Sequence, residues 1–327
     1  MSEPLLKVKN LRKSFSADSS SWFKKQEVKA VNGISFEIHE GETFGIVGES
    51  GCGKSTTGRT LLRLTEPTNG EVIYQGRDIF SLKEKEFRPV REDLQMIFQD
   101  PLASLDPKKR IGYSLEEPFV IQKKGTKKER KKIVLEMLER VGFGAEHYDR
   151  FPHEFSGGQR QRIGIARALV LNPRFIVCDE PVSALDVSIQ SQILNLLKEL
   201  QKDFGLSYLF IGHDLSVVRY IANRIGVMYL GEMVEQAPTD DLFENPLHPY
   251  TQSLLSAVPV PNPKMKRERI VLKGEVPSPL NMPEGCVFHT RCPLAMEICK
   301  KVKPPNYKIN DKHSVQCHLY ESNEIVE

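Results

Sequence analysis

The run Gly48-Glu-Ser-Gly-Cys-Gly-Lys-Ser55 constrains this chain more than any other stretch of it. It follows a short apolar segment, Thr43-Phe-Gly-Ile-Val47, that suits a strand buried on both faces, and it precedes a helix. In that context it matches the phosphate-loop pattern in full. The glycines let successive backbone N–H groups turn inward onto phosphate oxygens, and the helix that starts there adds the positive end of its dipole. Lys54 is expected to reach the β- and γ-phosphates of a nucleotide, and the Ser55 hydroxyl to coordinate Mg2+. The plain alternative is a glycine-rich turn with an incidental lysine. Cys52 occupies a variable position of the pattern and receives no redox role.

Phosphoryl transfer also needs charge neutralised by a metal and an oriented water. Phe175-Ile-Val-Cys-Asp-Glu180 supplies a residue for each. An apolar strand ends in Asp179, placed to hold the Mg2+ shell, and Glu180 can polarise the attacking water as general base. Two acids ending an apolar strand can otherwise be a helix cap. Upstream, Phe155-Ser-Gly-Gly-Gln-Arg-Gln-Arg162 sets Ser156, Gly157, Gly158 and Gln159 at a second anion-binding helix start. Gln99, in Met96-Ile-Phe-Gln-Asp-Pro101, and His213, in Ile211-Gly-His-Asp214, complete the set.

Strands are expected at Leu5–Val8, near Gly33–Ile38, and at the buried runs Arg174–Cys178 and Ser207–Ile211. A turn and a serine-rich loop from Ser16 to Phe23 separate the first two. Between the last two, Ile189, Ile193, Leu196, Leu197 and Leu200 mark an amphipathic helix. From about Arg88 to Phe151 the pattern reads as helical, with Ile133, Met137, Leu138 and Val141 on one apolar face. Alternating strands and helices argue for an α/β domain with a largely parallel sheet. Beyond Gln236 the prolines multiply and the segment reads as an irregular appendage. The division expected is therefore an ATPase domain over 1–235, with a helical subdomain over about 100–165, and an extension over 236–327.

Charge and hydropathy exclude two classes of function. A net charge of +3 gives no electrostatic reason to expect nucleic acid. The basic run from Lys123 to Lys132 reads as a solvated loop and helix start rather than an anion-binding patch. No stretch approaches the roughly 18 to 20 apolar residues needed to span a bilayer. The N-terminus lacks an apolar core of signal-peptide length, so the chain is expected in the cytoplasm, with any membrane role coming through a partner.

With these motifs in this order, the first part of the chain resembles the ATPase subunit of an ABC transporter. The resemblance implies an ABC-type P-loop NTPase core with an antiparallel β subdomain and a helical subdomain. It also implies a head-to-tail dimer in which ATP is clamped between one subunit's phosphate loop and the other's signature. On that model Gly48, Glu49, Ser50, Gly51, Cys52, Gly53, Lys54, Ser55 and Thr56 surround the phosphates, while Ser156, Gly157, Gly158 and Gln159 meet ATP held by the partner. Gln99 senses the γ-phosphate and Mg2+, His213 pins the γ-phosphate and the attacking water, and Asp186 communicates across the dimer. Phe15 takes the place of the aromatic that stacks on adenine, with a core aromatic as the alternative.

The extension narrows the class. Asn245-Pro-Leu-His-Pro-Tyr-Thr251, Lys273-Gly-Glu-Val-Pro-Ser-Pro279 and Gly285-Cys-Val-Phe-His-Thr-Arg-Cys-Pro293 resemble the C-terminal region of oligopeptide and dipeptide importer ATPases. Nickel and some glutathione-type importers belong to the same broader group. The run Met96 to Pro107 and the serine-rich insert look more like the second of the two paired ATPases. The partners implied are two transmembrane permease subunits, a paralogous ATPase, and a solute-binding protein acting indirectly. The place implied is the cytoplasmic face of the inner membrane, held peripherally.

Cys286, Cys292, Cys299 and Cys317 crowd into this region without a tight Cys-x2-Cys pair. In a reducing compartment such clustering favours metal over disulfides, and four thiolates can hold zinc or an iron–sulfur cluster. The family resemblance favours a [4Fe–4S] cluster at these four positions, with Zn2+ as the alternative. Its expected role is a staple for a segment poor in apolar residues. The neighbouring His289, His313 and His318 read as ordinary loop histidines. The competing functions are a soluble ABC ATPase acting on DNA or ribosomes, an exporter ATPase, and a redox-responsive binding module.

Overall fold

The computed structural model describes residues 3–17, 26–258, 270–322 and 324–325. The serine-rich loop expected from Ser16 lies, from Asp18 onward, outside the described residues. In chain order the first elements are β1 (Leu6–Ala17), β2 (Gln26–Ile38), β3 (Thr43–Val47), α1 (Lys54–Leu61), β4 (Asn69–Tyr74) and β5 (Arg77–Asp78). The middle of the chain forms α2 (Glu84–Asp93), β6 (Leu94–Ile97), α3 (Pro101–Ser104), α4 (Ile111–Ile121), α5 (Lys127–Arg140), α6 (Gly157–Leu169), β7 (Phe175–Asp179), α7 (Val187–Phe204) and β8 (Ser207–Ile211). The last stretch forms α8 (Leu215–Ile221), β9 (Arg224–Tyr229), β10 (Glu232–Pro238), α9 (Thr239–Glu244), α10 (Pro249–Ser256), β11 (Tyr307–Asn310), β12 (His313–Val315) and β13 (Glu324–Ile325). Among the described residues no helix is long and apolar enough to cross a membrane.

The chain divides into two compact units. One comprises Met1–Ile38, Thr43–Ser81 and Ile211–Glu327, and the other His39–Glu42 and Leu82–Phe210.

The first unit contains an antiparallel sheet in the order β2-β1-β4-β5. The turn expected after Val8 is instead a bulge, and β1 continues to Ala17. The register against β2 shifts between Val8 and Leu11, where Asn10 takes φ +47°. Asparagine tolerates this left-handed geometry better than most residues, so the strand absorbs an extra residue without ending. A second run of strands in the same unit has the order β13-β11-β12-β10-β9-β3. All five residues of β3 are buried, and β3 pairs with β9 in parallel.

The extension is less irregular than its prolines suggest. Among the described residues beyond Gln236 it supplies two α-helices and three short strands, and β12 pairs with β10 through Glu235↔Val315 and Gln236↔Ser314. Strands of two to four residues carry too little alternation to show in a sequence, and their partners lie far away in the chain. A buried carboxylate fastens the start of the extension. Glu235, 1% exposed, accepts the N–H groups of Leu247 (2.8 Å) and His248 (2.9 Å), and His313 Nε2 lies 2.8 Å away. A buried carboxylate persists only with its hydrogen bonds made, and this one has three partners. Burial pushes His248 down to about 4, so its neutral Nδ1 accepts the N–H of Tyr250 at 3.1 Å and caps α10.

In the second unit the strands run β8-β7-β6, with β6 parallel to β7 from Leu94↔Phe175 to Ile97↔Cys178. The stretch expected to be helical from Arg88 onward is thus interrupted by a strand. Four residues cannot declare a period; the pairing with β7 decides the conformation. The amphipathic helix expected around Ile189–Leu200 is α7, which buries Ile193, Leu194, Leu196, Leu197 and Leu200. The basic run leads into α5, whose first lysines are exposed and whose start is fixed by a Thr126/Glu129 capping box. On α5 the buried face is Val134, Met137 and Leu138, while Ile133 is 38% exposed.

Candidate nucleotide site and cysteine centre

In the first unit, β3 delivers the chain into the glycine loop, and the loop's shape rests on missing side chains. A Cβ at Gly48 would stand 2.1 Å from the Met228 carbonyl oxygen, and one at Gly53 (φ +104°) 2.0 Å from that of Ala30. Both contacts are with backbone, so neither neighbour can move aside. Lys54, 4% exposed, folds back over the loop, and its Nζ donates to Gly48 O (2.8 Å) and Glu49 O (3.0 Å). Ser55 and Thr56 stand in the first turn of α1 and Ser50 is exposed at the loop tip. Burial pushes the Cys52 thiol up despite the adjacent Lys54, which leaves it protonated and unreactive.

His213 lies exposed between β8 and α8, and Asp214 beside it caps α8 by accepting the Ser216 N–H at 2.8 Å. Phe15, on β1, is 41% exposed with Lys13 Nζ 4.8 Å from its ring centre. Such exposure excludes a core role for that ring.

In the second unit, Asp179 ends β7 and is 1% exposed. Glu180 follows at φ +46°, a left-handed conformation that costs a glutamate energy and concentrates at functional positions. Gln99 Nε2 lies 3.2 Å from Glu180 Oε2 and 3.4 Å from Ser183 Oγ. The fold thus brings together two residues that the sequence separates by 81 positions. Ser156 is the N-cap of α6: its hydroxyl accepts the Gln159 N–H at 3.3 Å, and Gln159 Oε1 accepts the Ser156 N–H at 2.9 Å. Ser156, Gly158, Gln159 and Arg162 line a surface cavity of about 570 Å³. Asp186 caps α7 by accepting the Ile189 N–H at 3.0 Å, and its carboxyl is held below the ordinary range by hydrogen bonds from Ser188 and Ile189.

The four C-terminal cysteines form no disulfide and share one region of the first unit. The Cys286 N–H donates to the Cys299 carbonyl at 2.8 Å. Burial pushes the Cys286 thiol up to about 12, and Cys299, Cys317 and Cys292 each push it in the same direction. Burial likewise raises Cys317 to about 11, with Cys292 and Cys299 contributing. The thiols therefore lie within electrostatic reach of one another. Among the described residues, however, no group of three or more His, Cys, Asp or Glu is set to hold a metal ion. The three nearby histidines are engaged elsewhere: His289 with the Cys286 carbonyl, His313 with Glu235, and His318 with the Val302 carbonyl.

Two contacts of the glycine loop had no signal in the sequence. The Glu49 N–H donates to the Tyr250 hydroxyl at 2.9 Å, and the Glu49 carboxylate takes both arms of the Arg291 guanidinium, at 2.8 and 3.2 Å. Residues this far apart in the chain show no local pattern that links them.

A glycine loop closed by a buried lysine, on an α/β fold, defines a nucleotide-binding cassette, and comparison with known proteins agrees. The family model described as "ABC transporter" matches residues 31–183, and that of the "Oligopeptide/dipeptide transporter, C-terminal region" matches 234–299. The chain is 56% identical over 322 residues to the oligopeptide transport ATP-binding protein AppF of Bacillus subtilis, covering 97% of this chain and 98% of that protein. It is 50% identical to the oligopeptide transport ATP-binding protein OppF of Escherichia coli, covering 96% and 95%. Among solved structures, the ATP-binding cassette MJ0796, a dimer in a post-hydrolysis state bound to ADP and Pi, superposes with a TM-score of 0.64 at 31% identity. That match covers 72% of this chain and 98% of MJ0796. The chain belongs to the ABC transporter family, within its group of oligopeptide and dipeptide transport ATP-binding proteins. ATP hydrolysis is the general activity of this family.

Proposed function

We propose that this chain hydrolyses ATP to drive a peptide importer, as its nucleotide-binding subunit at the cytoplasmic face of the membrane. The observation that carries this reading is the glycine loop, sterically fixed at Gly48 and Gly53 and covered by Lys54. In it, the backbone from Gly48 to Thr56 surrounds the phosphates and Lys54 trades its two carbonyls for phosphate oxygens. Mg2+ bound with ATP neutralises phosphate charge, and Ser55, Asp179 and Gln99 are the residues suited to hold it. Glu180 takes a proton from the attacking water, with His213 orienting it. Phe15 offers an exposed ring to adenine. Ser156, Gly157, Gly158 and Gln159 reach ATP held by a second ATPase subunit, with Asp186 at the same contact. The dimeric, ADP-bound form of MJ0796 supports that sandwich.

Residues 1–235 form the ATPase in this reading and 236–327 the extension. Two permease subunits, a paralogous ATPase and an external solute-binding protein complete the machine.

A [4Fe–4S] cluster at Cys286, Cys292, Cys299 and Cys317 belongs to the same reading. Four free thiols, of which Cys292, Cys299 and Cys317 each push Cys286 up, are a donor set that would suit such a cluster. When bound, the cluster supplies a cross-link between distant parts of the extension.

Uptake of a labelled oligopeptide into vesicles that carry this chain, the permease pair and the solute-binding protein tests the assignment. Peptide accumulation that depends on internal ATP is the expected result. Accumulation of nickel or glutathione without peptide would move the chain to another branch of the same group.

A further inference from the structure

The cysteine-bearing loop and the phosphate loop are joined by a pair of side chains 242 residues apart. Arg291, next to Cys292, presents its fork to Glu49: Nη1 lies 2.8 Å from Oε2 and Nη2 3.2 Å from Oε1, and the arginine side chain is 9% exposed. Paired, bidentate geometry fixes direction as well as distance, which a single contact does not. The same loop carries Phe288, which is fully buried. Its ring meets Tyr229 edge-on at 5.2 Å and Tyr250 at 5.3 Å. Tyr250 in turn accepts the backbone N–H of Glu49. Side chain and backbone of this one loop residue are therefore both held by the extension. The carbonyl of Glu49 accepts from Lys54, so any rotation of Glu49 moves an oxygen to which that lysine is anchored.

We propose that Arg291 is a positioning residue for ATP binding, through which the state of the cysteine-bearing loop sets how well the phosphate loop holds ATP. The inference rests on the reading that residues 48–56 hold the phosphates. Arg291 touches no phosphate itself. It holds the Glu49 carboxylate aside, so that the Glu49 peptide stays aligned within the cradle. Coupling of this kind acts equally in both directions: whatever loosens the cysteine loop weakens ATP binding, and bound ATP tightens the cysteine loop.

The test uses the full chain, purified without oxygen, with ATP affinity, KM and kcat for phosphate release measured alongside metal content and melting temperature. Arg291→Met and Glu49→Gln are each expected to weaken ATP binding and raise KM about 10-fold, with a much smaller change in kcat. The double variant should be no worse than the weaker-binding single variant, because both changes remove one interaction. Arg291→Lys should recover part of the affinity, as it restores the charge but not the fork. ATP should slow backbone hydrogen exchange across the loop from Cys286 to Cys292 in the unmodified chain and leave it unchanged in Arg291→Met. Should Arg291→Met fail to fold, Glu49→Gln and its hydrogen-exchange rate carry the test alone. Wild-type ATP affinity in these variants, or losses that simply add in the double variant, overturns the inference. Lys54→Ala separates the two readings: if it binds ATP normally, the cradle reading has failed. If it alone loses binding, only the role of Arg291 has.

Discussion

Replacing Glu180 with glutamine is expected to lower phosphate release by about two to four orders of magnitude while ATP binding survives. The substitution keeps shape and one amide oxygen, so Gln99 retains a partner at the position it now holds 3.2 Å from Glu180 Oε2. What disappears is the proton acceptor. Glu180 stands at φ +46°, directly after a buried strand and the buried Asp179, so its backbone position is set by the fold and not by its charge. On the proposed role of Glu180, the lost charge should not weaken ATP binding, and ATP should accumulate unhydrolysed with the chain trapped as a dimer. Single-turnover phosphate release, equilibrium ATP binding and sedimentation report the three parts of this outcome. Undiminished turnover would remove Glu180 from the role of general base.

The second large effect is expected at the cysteine centre. Cys299 is 7% exposed, and its carbonyl accepts the Cys286 N–H, so it sits where two parts of the extension meet. The strands of the extension are two to four residues long and bury few large apolar side chains, which gives the segment little intrinsic stability. A bound group present at 1,000 times its Kd contributes about 4 kcal/mol, and losing that much would lower the melting temperature by roughly 10 °C. Cys299→Ser should therefore lose iron and sulfide together and melt earlier. Zinc in place of iron keeps the staple and changes its identity. A Cys299→Ser protein with the metal content and melting temperature of the parent contradicts any bound centre at these thiols.

The parts of the site that depend on spacing along one short segment were legible in the sequence. The glycine loop, the acids ending β7 and the capping serine of α6 all fall in this class, because strand, turn and helix start are adjacent in the chain. Helix α7 was legible from its apolar period. The pairing of β6 with β7 was not, because four residues declare no period and the partner strand decides their conformation. The continuation of β1 past Asn10 was hidden for a related reason: a residue that favours turns was accommodated by a bulge. Nothing in the sequence sets Glu235 or Arg291 apart from the other charged residues. A charged side chain becomes structural only when distant segments bury it, as Leu247, His248 and His313 do for Glu235.

The most direct measurement of the central claim is phosphate release against Mg-ATP concentration for the parent chain and for Lys54→Ala, with melting curves to establish that both are folded. Lys54 is buried and bound to two backbone carbonyls of the loop, and its role as the phosphate-facing cation predicts saturable turnover in the parent and neither ATP binding nor turnover in the variant. Equal turnover in two folded proteins would mean that ATP is hydrolysed elsewhere, or not by this chain.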